Sequence, residues 1–345
     1  MNVVITGGAG FLGVRLAQTI LADRAIALDG QPPRPVQRLI LLDRVDPPAD
    51  LIDDTRVEIC RGELVDSLSA LAGADVVFHL AAAVSADCEA DFDLGIHANL
   101  ESGYALFEAC RALPRPTMLV FASSLAVYGQ WPGQPLPDIV TDQTLPTPRS
   151  SYGVQKFILE QLLTDYTRKG FVNGRPVRLM TVSVRPGRPN GAASSFLSGI
   201  IREPLAGHRA ICPVPPDTEV ALASPARTID GLLRAAAVSA VAFGPPIAMN
   251  LPAVRTTVGD MVEALSAVAG SDAASLIDWR PDPAIAAIVA GWPARFETAR
   301  AAALGLSPDP DFASIVRAYA DETGTSRGRP GLPPGGGDGR PLECR

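Results

Sequence analysis

The stretch Thr6-Gly7-Gly8-Ala9-Gly10-Phe11-Leu12-Gly13 stands between an apolar run, Val3-Val4-Ile5, and a segment of helical periodicity. A glycine-rich turn that leads straight from a strand into a helix leaves few choices of fold. Gly7 permits the tight turn, Gly10 lets the backbone approach a bound group, and Gly13 lets the helix pack closely on the strand. The helix, opened by Phe11 and Leu12, then offers free N–H groups and the positive end of its dipole to a phosphate. This is the pattern of a dinucleotide-binding strand–turn–helix.

The first half of the chain repeats that rhythm. Apolar, β-branched runs at 3–6, 39–43, 57–61, 76–80, 118–122 and 180–184 read as buried strands. Helical periodicity at 11–21, 99–113 and 152–169 separates several of them. Such alternation predicts a parallel sheet with helices on both faces. Residues 25–37 break the rhythm with Gln31-Pro32-Pro33-Arg34-Pro35, a surface loop. After Pro186 proline and glycine become frequent, with helices expected at 195–206, 228–242, 258–269 and 312–322. The expected fold is α/β: a Rossmann-type doubly wound parallel sheet with a smaller mixed α/β substrate domain. The boundaries expected are 1–185 for the nucleotide domain and 186–322 for the second, part of which returns to the main sheet. A Gly/Pro-rich tail, 323–345, buries too little apolar surface to offset its ordering entropy and is expected to be disordered.

Composition narrows the function. The 345 residues are 47% apolar and carry a net charge of −7, enough chain for a large core and no basic footprint for nucleic acid. No apolar stretch reaches the length of about 18 residues that a bilayer requires. Met1 leads into an apolar run without a basic leader, which argues against secretion and for a cytoplasmic protein. Five scattered cysteines with no Cys-x-x-Cys pair read as free thiols, and His79, His97 and His208 offer no metal-binding spacing.

Several residues at strand ends carry the chemistry. Asp43 closes the second strand, where its carboxylate can accept both ribose hydroxyls of an adenosine and repel a 2′-phosphate. That favours NAD, although the adjacent Arg44 acts in the opposite sense. Glu63 and Leu64 follow the third strand beside the expected adenine. Leu80, Ala81 and Ala82 follow the fourth and leave room for the middle of the dinucleotide, whereas His79 reads as a core histidine. Ser123 and Ser124 end the fifth strand. Tyr152 and Lys156, four apart on a helix, share a face. A tyrosine, with a pKa of roughly 10, needs nearby positive charge to act as a base. Lys156 is one of only two lysines among the 30 basic residues, and its compact ammonium suits that task better than an Arg fork.

Together, Gly7-x-x-Gly10-x-x-Gly13, Asp43, Ser123-Ser124-x-x-Val127-Tyr128-Gly129 and Tyr152-x-x-x-Lys156 resemble the extended short-chain dehydrogenase/reductase family. That family includes the sugar-nucleotide epimerases and dehydratases. The resemblance implies NAD as cofactor and Ser124, Tyr152 and Lys156 as the catalytic triad, with Lys156 also on the nicotinamide ribose. It further implies that Asn99 supports the lysine through water and that Pro186 lies beside the cofactor.

The second half reads differently from the nucleotide-sugar enzymes, whose Arg-Asp stretch survives only in fragments within 220–230. Val182-Ser183-Val184-Arg185-Pro186-Gly187-Arg188-Pro189-Asn190 is similar instead to the branch that oxidises the C2 hydroxyl of four-carbon sugar acids such as D-erythronate. A sugar acid needs a cation for its carboxylate, and Arg188 is expected to supply it. Ser85, Asn190, Ser194 and Ser195, with Ser124 and Tyr152, are its expected polar neighbours, and Arg202 reads as a solvated helix face. An epimerase or dehydratase that retains its NAD stays open, as does a non-catalytic sensor. The partners expected are a small-molecule sugar acid and, as an assembly to be tested, a second copy in a homodimer.

Overall fold

The structure is a computed structural model and describes residues 1–187 and 194–325. Its main sheet holds β1 (Asn2–Thr6), β2 (Arg38–Asp43), β3 (Val57–Arg61), β4 (Val76–His79), β5 (Met118–Ser124), β6 (Asn173–Leu179) and β7 (Met249–Asn250). Their spatial order is β3-β2-β1-β4-β5-β6-β7, and every adjacent pair is parallel. The helices used below are α1 (Phe11–Asp23), α2 (Ser102–Arg111), α3 (Ser151–Arg168), α4 (Ser195–Leu205), α5 (Pro225–Ala237), α6 (Val258–Ala269) and α7 (Phe312–Glu322).

Side chains alternate across a strand, so a sheet covered on both faces must be apolar at successive positions. Val3, Ile5, Leu39, Leu41 and Phe78 face one core with Leu16 and Ile20 of α1 and Ile229 and Leu232 of α5. Val4, Ile40, Leu42 and Val77 face the other, against Leu106 and Phe107 of α2 and Leu159 and Leu163 of α3. The chain runs outward from β1 in both directions, which opens a crevice beyond the carboxyl ends of β1 and β4.

A separate core lies in the second half. Leu197 and Ile200 of α4, Met261 and Leu265 of α6, and Ile315 and Val316 of α7 pack there. They cover a mixed three-stranded sheet of Val254–Thr257, Glu219–Ala223 and Thr181–Val182, and a parallel pair, Ala210–Cys212 with Ile277–Trp279. Helix α5 and strand β7, from this half of the sequence, lie on the main sheet.

The sixth main-sheet strand departs from expectation: it is Asn173–Leu179, whereas Thr181–Val182 joins the second sheet. Pro176, Arg175 and Arg178 disguise it in the sequence. Both arginines are buried and paired, with Asp29 and Glu160, and Pro176 lies outside the two residues that β7 covers. The helix expected at 228–242 starts earlier, at Pro225, capped by the Ser224 hydroxyl, and ends at Ala237. The loop at 25–37 closes on itself through a short antiparallel pairing of Ala25–Ile26 with Arg34–Pro35. No helix among the described residues is long and apolar enough to cross a membrane.

Candidate active site

A cleft of about 580 Å³ runs along the carboxyl ends of the main-sheet strands. Its nucleotide end is made of backbone. Gly7 has φ +71°, a left-handed conformation that costs glycine nothing. A Cβ on Gly13 would stand 2.0 Å from the Gly7 carbonyl oxygen, so the turn and α1 meet at a distance only glycine allows. Gly10 precedes α1 without a side-chain cap, and no acidic residue occupies the first turn. The first N–H groups of α1 are therefore left for a ligand. Asp43 faces the same end with both oxygens oriented: Oδ2 accepts from the Ala9 amide at 3.0 Å and Oδ1 from the Arg44 amide at 2.7 Å. Arg44 reaches across the rim to Glu63 at 3.8 Å. Phe11, Leu12 and Leu64, with Leu80, Ala81 and Ala82, complete this wall. An uncapped helix start, a glycine cradle and an acidic strand end fit a dinucleotide such as NAD.

The other end is made of side chains. The strand β5 delivers Ser124, and the cap of Ser150 on the Gly153 amide at 3.1 Å fixes the start of α3, which carries Tyr152 and Lys156. Ser124 and Tyr152 line the cleft together, and the Ser124 hydroxyl acts to lower the pKa of the Tyr152 phenol. The Lys156 ammonium donates to the Ala122 carbonyl at 2.9 Å and lies 5.6 Å from the centre of the Tyr152 ring. Burial pushes the lysine down to about 8 and the Tyr152 phenol up to about 12. The cation that most opposes the rise at Tyr152 is Arg185. This corrects the expectation that Lys156 does so in the chain alone.

Beneath Lys156 lies a buried network. Glu160, one turn further along α3, accepts two hydrogen bonds from Arg178 at 2.9 and 2.7 Å. The Ser123 hydroxyl donates to the same carboxylate. Arg178 also donates to the Tyr128 hydroxyl at 2.5 Å, which donates in turn to Asn250 Oδ1 at 3.1 Å. These contacts tie α3 to β5, β6 and β7 and so hold the catalytic pair in place.

The cleft gathers most of the residues expected from the sequence, with Pro186, Ser194 and Ser195 among them. Asn99 does not line it. It occupies a wide, π-helical turn ahead of α2, accepts from the Ala83 amide at 2.7 Å and donates to Gln155 at 2.8 Å. Its contacts brace the loop after β4 against α3 without touching Lys156. Ser85 starts a short helix outside the lining. Ser123 reaches the wall, but its hydroxyl is committed to Glu160. His79 is a core residue whose Nδ1 bonds the Thr6 hydroxyl at 2.7 Å, and burial holds it neutral with a pKa near about 3. Arg188 and Asn190 lie outside the described residues.

Arg202 is not on a solvated face. It is buried, lines the cleft and donates to the Arg185 carbonyl at 2.8 Å. Arg185 and Ser198 complete this corner and were not singled out from the sequence. The available signal was the position of Arg185, immediately after the buried run Val182-Ser183-Val184, where an α/β sheet places its ligand contacts.

A dinucleotide cradle joined by one cleft to a Ser–Tyr–Lys proton-transfer set defines an α/β oxidoreductase scaffold of the extended short-chain type. The chain belongs to the NAD dependent epimerase/dehydratase family, whose model matches residues 3–220. It is similar to the D-erythronate dehydrogenase of Cupriavidus necator, 47% identical across 95% of this chain and 100% of the relative. It is likewise similar to the D-erythronate dehydrogenase of Haemophilus influenzae, 40% identical across 93% and 99%. A solved nucleoside-diphosphate-sugar epimerase from Agrobacterium tumefaciens superposes with a TM-score of 0.84 at 38% identity, covering 94% of this chain and 95% of its own.

Proposed function

We propose that the protein oxidises the C2 hydroxyl of a sugar acid, D-erythronate, to 2-dehydro-D-erythronate with NAD. The observation that carries this reading is the convergence of Ser124, Tyr152 and Lys156 on one cleft whose far end is the glycine cradle. Full-length similarity to two proteins named for that reaction supports the substrate.

Gly7, Gly10 and Gly13 would admit the pyrophosphate, Asp43 the adenosine ribose, and Lys156 the nicotinamide ribose. A bound NAD would supply the acceptor for the hydride of C2. The chain supplies the remaining chemistry. Ser124 holds the substrate oxygen, and Tyr152 accepts its proton. A phenol that burial holds at about 12 is almost wholly protonated at neutral pH, so nearby positive charge is needed to make it available as a base. In the chain alone Arg185 supplies that charge, and the Lys156 ammonium stands 5.6 Å from the centre of the same ring. A cytoplasmic setting accompanies this reading.

The epimerase named in the solved relative favours a second reading, in which the NAD stays bound and is regenerated within each turnover. Incubation of the protein with D-erythronate and NAD separates the two. Steady accumulation of NADH is expected; product without net NADH would establish the epimerase reading.

A further inference from the structure

Among the described residues, three arginines buried elsewhere and the half-buried Arg300 come with carboxylates. Arg175 meets Asp29 at 3.2 Å, Arg178 meets Glu160 at 2.7 Å, Arg202 meets Glu203 at 2.7 Å, and Arg300 meets Asp142 at 3.4 Å. Arg185, half-buried like Arg300, is the exception. Its backbone is pinned from both sides, the amide donating to Ser198 Oγ at 3.0 Å and the carbonyl accepting from Arg202 at 2.8 Å. Its guanidinium has no hydrogen bond and no carboxylate within ion-pair distance among the described residues, yet it lines the cleft beside Tyr152. An unpaired charge withdrawn from water is costly, and the cost is recovered when a ligand brings the opposite charge.

We propose that Arg185 is the carboxylate anchor of this site, taking the acid group of a 2-hydroxy acid and so placing its C2 hydroxyl between Ser124 and Tyr152. The inference rests on the sugar-acid reading above and deepens it. In such an acid the carboxylate carbon is bonded directly to the carbon that is oxidised. The anchor must therefore stand next to the base, as Arg185 does. A guanidinium can engage both carboxylate oxygens, which fixes orientation as well as charge. Fixing the backbone on Ser198 and Arg202 leaves the fork free for the substrate and ties its position to α4. The site thereby selects acids over neutral polyols of the same length.

The test compares D-erythronate with D-erythronamide, which keeps the chain and the C2 hydroxyl but carries no charge. In Arg185→Met, KM for the acid should rise about tenfold to a hundredfold, the loss expected for one charge-assisted hydrogen-bonding group. KM for the amide should not move, and kcat for the acid should fall less than its KM rises. Arg185→Lys should recover part of the acid's affinity, and it carries the same comparison should Arg185→Met fail to fold or to bind NADH. An unchanged KM for the acid, or an equal rise for acid and amide, overturns the anchor while leaving the dehydrogenase reading intact. If the wild type makes no NADH from D-erythronate, that reading fails, and the anchor is judged by binding alone. Fluorescence of the NADH-bound enzyme is then titrated with the acid and the amide. An acid preference that Arg185→Met abolishes supports the anchor; no acid preference in the wild type overturns it.

Discussion

The two ends of the cleft are built from different materials. At the nucleotide end the recognising groups are backbone: a left-handed Gly7, a Gly13 without room for a Cβ, and a helix start without a cap. At the reacting end they are side chains from distant stretches, Ser124 from β5, Tyr152 and Lys156 from α3, and Arg185 from the segment after Val184. A backbone site is sensitive to added atoms, and charge enters at this end through the Asp43 side chain. A side-chain site is set by burial and by charges that neighbours must balance, here through Glu160, Arg178 and Ser123. Substitutions at the two ends should therefore fail in different ways.

The largest effect should come from Tyr152→Phe. It removes the proton acceptor and keeps the ring, so kcat should fall by about 10²–10⁴, the usual contribution of a general base. NADH binding, measured by fluorescence titration, should survive because the cradle is untouched. Near-normal turnover in a folded variant would remove the chemical basis of the reacting end and with it the contrast.

Gly13→Ala probes the other material. Its Cβ would meet the Gly7 carbonyl at 2.0 Å and the Gly8 Cα at 2.9 Å, backbone atoms that cannot rotate away. Overpacking of this kind costs about 1–3 kcal/mol. The loss should be read in weaker NADH binding and a lower Tm, with the pH dependence of kcat unchanged. A variant that binds NADH normally would mean that the turn tolerates displacement and that the cradle is less exacting than its geometry.

This contrast also explains what could be read from the sequence. Glycine spacing reports backbone conformation directly, so the cradle, β1, α1 and the acidic end of β2 were legible in the sequence. The Tyr152–Lys156 pair was legible because helical spacing puts both on one face. The sixth strand was not, since Arg175, Pro176 and Arg178 look like surface residues until their buried partners are known. Arg185 and Arg202 escaped for the same reason. Whether an arginine is solvated, paired or waiting for a ligand depends on residues far away in the chain, and no local pattern encodes it. Asn99 was expected to support the lysine through water, and its direct contacts are to Ala83 and Gln155.

A smaller effect is expected at Asp43, whose two oxygens are already oriented by backbone amides. Asp43→Ala should lower kcat/KM with NAD by about tenfold, the value of one charge-assisted hydrogen bond. With NADP it should hold or improve, because a carboxylate that repels the 2′-phosphate has gone. If the wild type already uses NADP as well as NAD, Arg44 and not Asp43 governs the pocket.

The last effect concerns stability and sets the reacting end apart most cleanly. Burial holds the Lys156 ammonium near about 8, below its ordinary 10.5. Between those values the unfolded chain binds more protons at this site than the folded one. Stability contributed by the site therefore rises with pH through that window. Below it, folding carries the full cost of a buried ammonium that is only partly offset by the Ala122 carbonyl and the Phe121 ring. In Lys156→Met that titration is absent, and the difference in Tm reports it together with the coupled Cys88 thiol, whose pKa the ammonium lowers. Wild type should gain on the variant by about 3 kcal/mol, or several degrees, between pH 8 and 10.5. Applied to Gly13→Ala, the same measurement should give a Tm difference that does not change with pH, because nothing at the nucleotide end has altered its charge. A pH-independent gap for Lys156→Met would mean that the ammonium is solvated through the cleft, and that its charge reaches Tyr152 far more weakly than the mechanism requires.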